Sequence, residues 1–321
     1  MNYKLIGIFI SIFFMLFSPA LSGIIFDNNG VENADKLDKS DLESREVSVY
    51  IHSSGMSETL DFEEYICGVV MAEVPSDFDE EALKAMAVAI RSYSLRRIEK
   101  AEKDVCHFSA DVCDDYTHCQ AFISYEEAAE KWGELKAEEC YDKIKKAVKK
   151  TEGEVLYYNG TVADAVFHSN SNGNTESAEN VWGVDIPYLV SVPTFEECQT
   201  SYQQCNAEEF SRLLTNASVS CNFDREVSKW LSDCKKNESG RCESINICGT
   251  VVSGRRMREI FGLRSTCFDV DFVDGVFTFT VDGYGHGVGM SQYGCDAMAK
   301  DGYDYRDILA HYYSGTKLGL Y

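Results

Sequence analysis

Between Tyr284 and Gly294 the chain reads Tyr-Gly-His-Gly-Val-Gly-Met-Ser-Gln-Tyr-Gly. Glycines at 285, 287 and 289 alternate with His286 and Val288, and glycine admits positive φ and close backbone approach. His286, Ser291, Gln292 and Tyr293 then offer imidazole, hydroxyl, amide and phenol to a shaped polar groove. A plain glycine-rich connection before a helix is the alternative. A second polar run, His168-Ser169-Asn170-Ser171-Asn172-Gly173-Asn174-Thr175-Glu176, makes a poor core and a good hydrogen-bonding rim for a sugar. An exposed turn is the simpler reading of it. Trp182-Gly183 and Pro187-Tyr188-Leu189 follow and would supply an aromatic wall.

Glu73 is the candidate acid. It closes an apolar segment, Ile66 to Val74, just before Pro75. A carboxyl group among apolar neighbours has a raised pKa, which suits a general acid; a solvated helix-end glutamate is the alternative. Arg91 on the next helix could reach back to hold Glu73 or a substrate, with Tyr93 beside it. A separate constellation, His107, Cys113, His118 and Cys119, places two imidazoles and two thiols within a short stretch. That set can close a tetrahedral Cys2His2 zinc site, structural rather than catalytic if all four ligate. A Cys113–Cys119 disulfide with surface histidines also fits the spacing. His168, His286 and His311 have no recognised metal-ligand spacing.

These residues must be positioned by flanking elements. Val47 to Ile51 reads as a strand. Phe62, Ile66, Val69, Val70 and Glu73 recur at helical spacing, and Pro75 ends the pattern. Ser76 and Asp79 form an S-x-x-D helix start. Leu83, Met86, Ala87, Ile90 and Ser94 form one face of a second helix. Residues 124–150 read as one charged amphipathic helix. Asn159-Gly160 between residues 155–158 and 161–167 signals a hairpin, as does Asp274-Gly275 between 268–273 and 276–281. The glycine-rich motif opens from the second hairpin, and residues 305–313 form a last helix. Strands and helices mix without βαβ regularity, so the fold class is α+β, a single mixed domain with a substrate groove.

The chain has 321 residues, 45% of them hydrophobic, and a formal net charge of −23. That charge argues against nucleic acid, which needs a basic footprint, and against docking to an anionic membrane surface. Lys4 precedes an apolar run from Leu5 to Phe17, with Pro19, Ala20 and Ser22 after it. Residues 1–26 therefore read as a cleavable secretory signal or a single transmembrane anchor, and residues 27–45 as a polar linker. Either way residues 46–321 lie outside the cytoplasm. Thirteen cysteines suit an exported chain. Six of them, Cys198, Cys205, Cys221, Cys234, Cys242 and Cys248, fall in residues 196–250, which read as a cysteine-rich insertion or loop of unassigned pairing. Asn159, Asn216 and Asn237 begin N-x-S/T matches that matter only in a eukaryotic secretory pathway.

Five blocks, in order, resemble the stage II sporulation protein D family. They are Tyr65-x2-Gly68-Val69-Val70-x2-Glu73-x-Pro75; Glu81 through Arg91-x-Tyr93; Cys113-Asp114-x3-His118-Cys119-Gln120; Trp182-Gly183-x3-Pro187-Tyr188-Leu189; and Gly285 through Gly294. The likeness covers residues 46–321. It implies a membrane-anchored lytic transglycosylase that cuts peptidoglycan glycan strands, preferably peptide-stripped, during engulfment in sporulation. It implies stage II sporulation proteins P and M as partners. Some relatives act as amidase enhancers. By position, Glu73 is the implied catalytic acid. Arg91, Tyr93, Ser169, Ser171, Gly173, His286, Ser291, Gln292 and Tyr293 are the implied substrate-binding residues, and His107, Cys113, His118 and Cys119 the zinc ligands. The cysteine-rich segment, the 168–173 run and Ala121-Phe122 depart from the family pattern. Three rival readings remain: a non-catalytic stimulator of an amidase, a disulfide-stapled interaction module, and a zinc hydrolase.

Overall fold

The computed structural model describes residues 45–75, 77–100 and 110–321. The membrane segment expected at 1–26, the linker before Arg45, Ser76 of the helix start and His107 lie outside the described residues. Among the described residues no helix is long and apolar enough to cross a membrane.

The chain begins with a hairpin, β1 (Glu46–Ile51) and β2 (Met56–Asp61). Asp61 caps α1 (Phe62–Glu73) by accepting from the amides of Glu63 and Glu64, which satisfies N–H groups a helix start leaves open. Val74 is already extended, as a residue before proline must be. Asp79 accepts from the Glu81 amide at the start of α2 (Glu80–Lys100). The sequence predicts one buried face for α2, yet Ala82, Leu83, Ala85, Met86, Ala87, Val88, Ala89 and Ile90 are all fully buried. Its alanines let neighbours approach from every side, and α2 is the central rod of the first core.

A short strand, β3 (Val112–Cys113), adds parallel to β1. The helix expected over 124–150 is two helices, α3 (Tyr125–Trp132) and α4 (Glu134–Lys150), broken where Gly133 takes a φ of 87°. A capping box between Ser124 and Glu127 starts α3. Then β4 (Glu154–Tyr158) turns through Asn159 and Gly160, both at positive φ, into a two-residue β5 (Thr161–Val162). This hairpin is shorter than the sequence suggests. The chain leaves it to form β6 (Phe167–His168) and, further on, α5 (Ala178–Trp182).

The expected cysteine-rich loop is instead folded. It contains β7 (Thr200–Asn206), α6 (Ala207–Asn216), β8 (Leu231–Lys236) and β9 (Cys242–Ile247), continued by β10 (Thr250–Ser253) and α7 (Gly254–Phe261). With the hairpin of β11 (Phe268–Val273) and β12 (Val276–Asp282), these elements enclose a second core. Its centre is aromatic, with Phe210 stacked on Phe277 at 4.1 Å between ring centroids. Two three-stranded antiparallel sheets, β10-β9-β8 and β11-β12-β7, bound it. Hydrophobic burial, not cysteine pairing alone, therefore orders this segment.

The chain then returns to the first core through the glycine-rich motif, β13 (Met290–Ser291), α8 (Gln292–Lys300), α9 (Tyr305–Tyr312) and β14 (Lys317–Leu320). Two pairings matter for the site. β14 closes on β4, and β13 pairs parallel with β6, setting Ser291 opposite His168.

Candidate functional site

Glu73 sits half-buried at the last turn of α1. Its Oε1 accepts from the Ala121 amide at 2.9 Å, and its Oε2 lies 3.4 Å from the Gln292 Nε2 that donates to it. Burial pushes the carboxyl above its ordinary range, and these two donors oppose the shift without cancelling it. The side chain borders an open depression shared with Pro75, Asp77, Trp132 and Lys136. A carboxyl group so placed can give a proton and then be stabilised as its anion by two fixed N–H groups.

The segment bearing Ala121 is itself held against α1. Phe122 stacks on Tyr65 at 5.7 Å, and a Cβ on Gly68 would meet the Phe122 ring at 2.4 Å. Only glycine at 68 lets this segment lie close enough to present Ala121 to Glu73. Just upstream lie Cys113, His118 and Cys119, whose ligand atoms are all within 4.8 Å of one another. Nδ1 of His118 is 3.5 Å from the Cys113 sulfur and 3.4 Å from that of Cys119. Zinc bonds of about 2.3 Å to sulfur and 2.0 Å to nitrogen in a tetrahedron imply separations of roughly 3.6 Å. The three residues thus fit a zinc ion. Arg97 donates to the His118 carbonyl at 2.9 Å and braces the same loop.

Arg91 does not reach Glu73. It is fully buried, forked onto Glu63 at 2.9 and 2.7 Å, and donates to the Glu154 carbonyl at 3.0 Å. The substrate contact expected of it is replaced by a link between α1, α2 and β4. Tyr93, two residues on, points to a different side of α2, because each helical residue turns about 100°. Its neighbours are Arg97, Cys119 and Asp164, and burial pushes its phenol up to about 12. It lines the thiol–imidazole cluster, not the carboxyl group of Glu73.

The other wall is woven from the 168–176 run and the glycine-rich motif. Single bridges join Asn170 to Tyr284 and Glu176 to Val288. His168 is buried. Its Nδ1 faces the Val288 carbonyl at 3.2 Å, and its Nε2 lies 2.6 Å from the Ser171 hydroxyl. A carbonyl only accepts, so Nδ1 carries the proton and Ser171 donates to Nε2. Nδ1 of His286 accepts from the Val288 amide at 3.0 Å. Burial, with the charges of Arg258 and Arg241, lowers His286 to about 4, and burial holds His168 well below the usual histidine range. Both rings are neutral at pH 7. Trp182 is partly exposed, 5.4 Å from the His286 ring.

Ser171 and Ser291 are fully buried, which corrects their expected role as sugar contacts. The Ser171 amide and the Ser291 hydroxyl both donate to Oε1 of Glu196, at 2.8 and 2.5 Å. Ser291 also caps α8 by accepting from the Gly294 amide. The Ser169 carbonyl accepts from the Tyr293 amide at 3.1 Å. Gln292 is nearly buried. Its contact with Glu73 is the point where the glycine-rich wall meets the acid. Along this wall Gly173, Asn174 and Tyr284 are exposed, and Ser169, Asn172, Gly285, His286 and Tyr293 are half-buried. Glu196, Glu63 and the Ala121 amide carry no local signal in the sequence. They act across 25 to 95 residues, and only the fold brings them to the site.

The stage II sporulation protein family model matches residues 50–158, the part that holds Glu73 and the Cys113–Cys119 cluster. Stage II sporulation protein D of Bacillus subtilis (strain 168) is 34% identical over 273 residues, covering 85% of this chain and 78% of its own length. The chain belongs to the stage II sporulation protein D family. The protein of that name from Bacillus amyloliquefaciens gives the same identity and coverage. An amidase enhancer of Bacillus subtilis is more distant, 27% identical over 79% of this chain and 40% of its own length. The likeness to the Bacillus subtilis protein covers 85% of this chain and so extends beyond the residues that the family model matches.

Proposed function

We propose that this family member is a peptidoglycan lytic transglycosylase that acts on peptide-stripped glycan strands during sporulation. One observation carries the reading. A carboxyl group with a raised pKa, Glu73, is gripped by a backbone amide and by an amide side chain 219 residues away. Oε1 is engaged at normal hydrogen-bond distance, which leaves Oε2 to carry the acidic proton. Glu73 gives that proton to the β-1,4 oxygen between N-acetylmuramic acid and N-acetylglucosamine. The bond breaks with oxocarbenium-like charge on the muramyl ring. The carboxylate, steadied by Ala121 and Gln292, then takes the proton of the muramyl 6-hydroxyl, which closes on C1 as a 1,6-anhydro ring. A single carboxylate serves both steps. Tyr284, His286 and Tyr293 line the sugar-binding wall beside it.

Cys113, His118 and Cys119 would hold a structural zinc ion, with His107, which lies outside the described residues, as the fourth ligand that the family likeness implies. When bound it supplies no reacting group and pins the loop that presents Ala121. Residues 1–26 anchor or export the domain, which acts outside the cytoplasm, with stage II sporulation proteins P and M as partners. The likeness to an amidase enhancer supports a second reading, a glycan-binding protein that stimulates an amidase without cutting.

Mass spectrometry of products from peptide-stripped glycan, wild type beside Glu73→Gln, tests the reading. Anhydro-muramyl ends made by the wild type alone are expected, with a loss of at least about 100-fold in the variant. Reducing ends would mean attack by water. Retained binding without cleavage by either protein would favour the amidase-stimulating reading.

A further inference from the structure

The turn between β8 and β9 joins the second core to the glycine-rich wall. Asn237 and Ser239 donate to Oε2 of Glu176, each at 2.5 Å, and the Ser239 carbonyl accepts from Asn172 at 2.7 Å. The Glu176 amide in turn donates to the Gly287 carbonyl at 2.7 Å. Arg241 ends the turn and is almost wholly buried. Its guanidinium lies directly behind Gly287, where a Cβ would stand 2.4 Å from Nη2. The nearest carboxylate, that of Glu176, is 3.9 Å away, and no guanidinium nitrogen has a hydrogen-bond acceptor among the described residues. Its backbone is tied to Asn237 on both sides, the Arg241 amide donating to Asn237 Oδ1 at 2.9 Å and its carbonyl accepting from the Asn237 amide at 2.9 Å, so the guanidinium is kept in place by the shape of its turn and not by hydrogen bonds of its own.

Two cysteines stand at the feet of that turn. Cys234 is exposed on β8, Cys242 is buried on β9, and their sulfurs are 3.7 Å apart. A shift in register between Ser232 and Lys235 swings Cys234 towards Cys242, whose ladder neighbour is Lys236. Cys242 is fixed from behind, because its amide donates to Thr266 and Gly254 packs on its carbonyl. A disulfide needs this contact to shorten to about 2.05 Å, and of the two side chains the exposed Cys234 is the one with room to move.

We propose that Cys234 and Cys242 form a disulfide that clasps the 237–241 turn and so keeps Arg241 behind Gly287 in the glycine-rich wall. A small disulfide of the oxidised-glutathione class completes the chemistry. The Cys234 thiolate attacks one of its sulfurs, forms a mixed disulfide and releases one thiol. The Cys242 sulfur then attacks the Cys234 sulfur, gives its proton to solvent and releases the second thiol. Two protein thiols are oxidised and one disulfide is reduced to two thiols. The pair lies eight positions apart, so the ring is small and removes the open conformations of this one turn. Arg241 is a positioning residue in this scheme. The bond does not depend on the proposed glycan chemistry, and its test reads neither cleavage nor glycan binding.

The full chain is equilibrated with oxidised glutathione, alkylated, cut with trypsin and mapped by mass spectrometry. The peptide 230–235 should appear linked to 242–255, with fragmentation separating Cys242 from Cys248. Hydrogen exchange is then compared between this protein and Cys234→Ser. Amides of residues 284–290 should exchange several-fold faster in the variant, with α2 unchanged. Cys234 recovered alkylated, or joined to another cysteine, overturns the pairing. A correct link with unchanged exchange at 284–290 overturns the role of the clasp in the wall.

Discussion

Gln292 and Ala121 give Glu73 two donors that both favour its charged form, while burial favours the neutral one. The balance leaves the acid protonated to higher pH than an exposed glutamate. Activity that needs the protonated acid is therefore lost as pH rises through a value above the ordinary carboxylate range. Replacing Gln292 with leucine removes one donor and raises the pKa of Glu73 further. The alkaline limb of the pH–rate profile should move to higher pH, while the maximal rate falls about 10-fold because the anion formed mid-reaction loses support. A profile that stays fixed would mean that Gln292 does not act on Glu73. Of the polar residues that the sequence singles out, Glu73 was legible from an acid ending an apolar helix before proline. Its donors were not, since a backbone amide and a glutamine 219 positions away leave no local pattern.

At the scale of elements, α2 shows how spacing misleads. Arg91 lies one helix away from Glu73 and reads as its partner, yet the rotation of α2 turns it to Glu63 and β4. Removing one member of a buried ion pair leaves an uncompensated charge, which costs about 3–5 kcal/mol. Arg91→Met should destabilise by that amount in denaturant unfolding, and Glu63→Gln in the same chain should restore part of it. The pH–rate profile of any residual activity should be unchanged, which a direct contact with substrate or acid would not allow. The loop after β3 carries the other element-level prediction. Purified full chain should hold about one zinc per molecule, and Cys119→Ser should lose it and lower Tm by on the order of 5 °C. Metal-free wild type of equal stability would favour the alternative in which the cysteines serve no metal.

For the whole molecule, the woven wall makes stability depend on two neutral histidines. His168 faces His286 and Arg241, and His286 faces Arg258 and Arg241, so protonation of either adds charge beside charge. Their folded pKa values lie below the unfolded value of about 6.5. Below that pH the unfolded chain binds protons that the folded chain refuses, and stability falls. The loss should begin near pH 6.5 and continue towards about 4 for His286, with none above pH 7. Tm measured across pH 5 to 7 should fall less steeply in His286→Gln than in the wild type. Equal slopes would mean that His286 takes up its proton as readily in the folded protein as in the unfolded chain.

Local order was written in the sequence because it depends on neighbours in the chain. Pro75 ends α1, and Asn159-Gly160 and Asp274-Gly275 turn their hairpins. The spacing of Cys113, His118 and Cys119 likewise brings two thiols and an imidazole together within one loop. What long-range packing decided could not be read there. The segment 196–250 looked like a cysteine-rich loop because its polar residues outnumber the few aromatics that make a core with residues 257–281. Ser171 and Ser291 looked like sugar contacts, since nothing local says that Glu196 buries both. Arg241 and Gly287 meet only because two separate cores fold against one turn, and burial is a property of the whole chain.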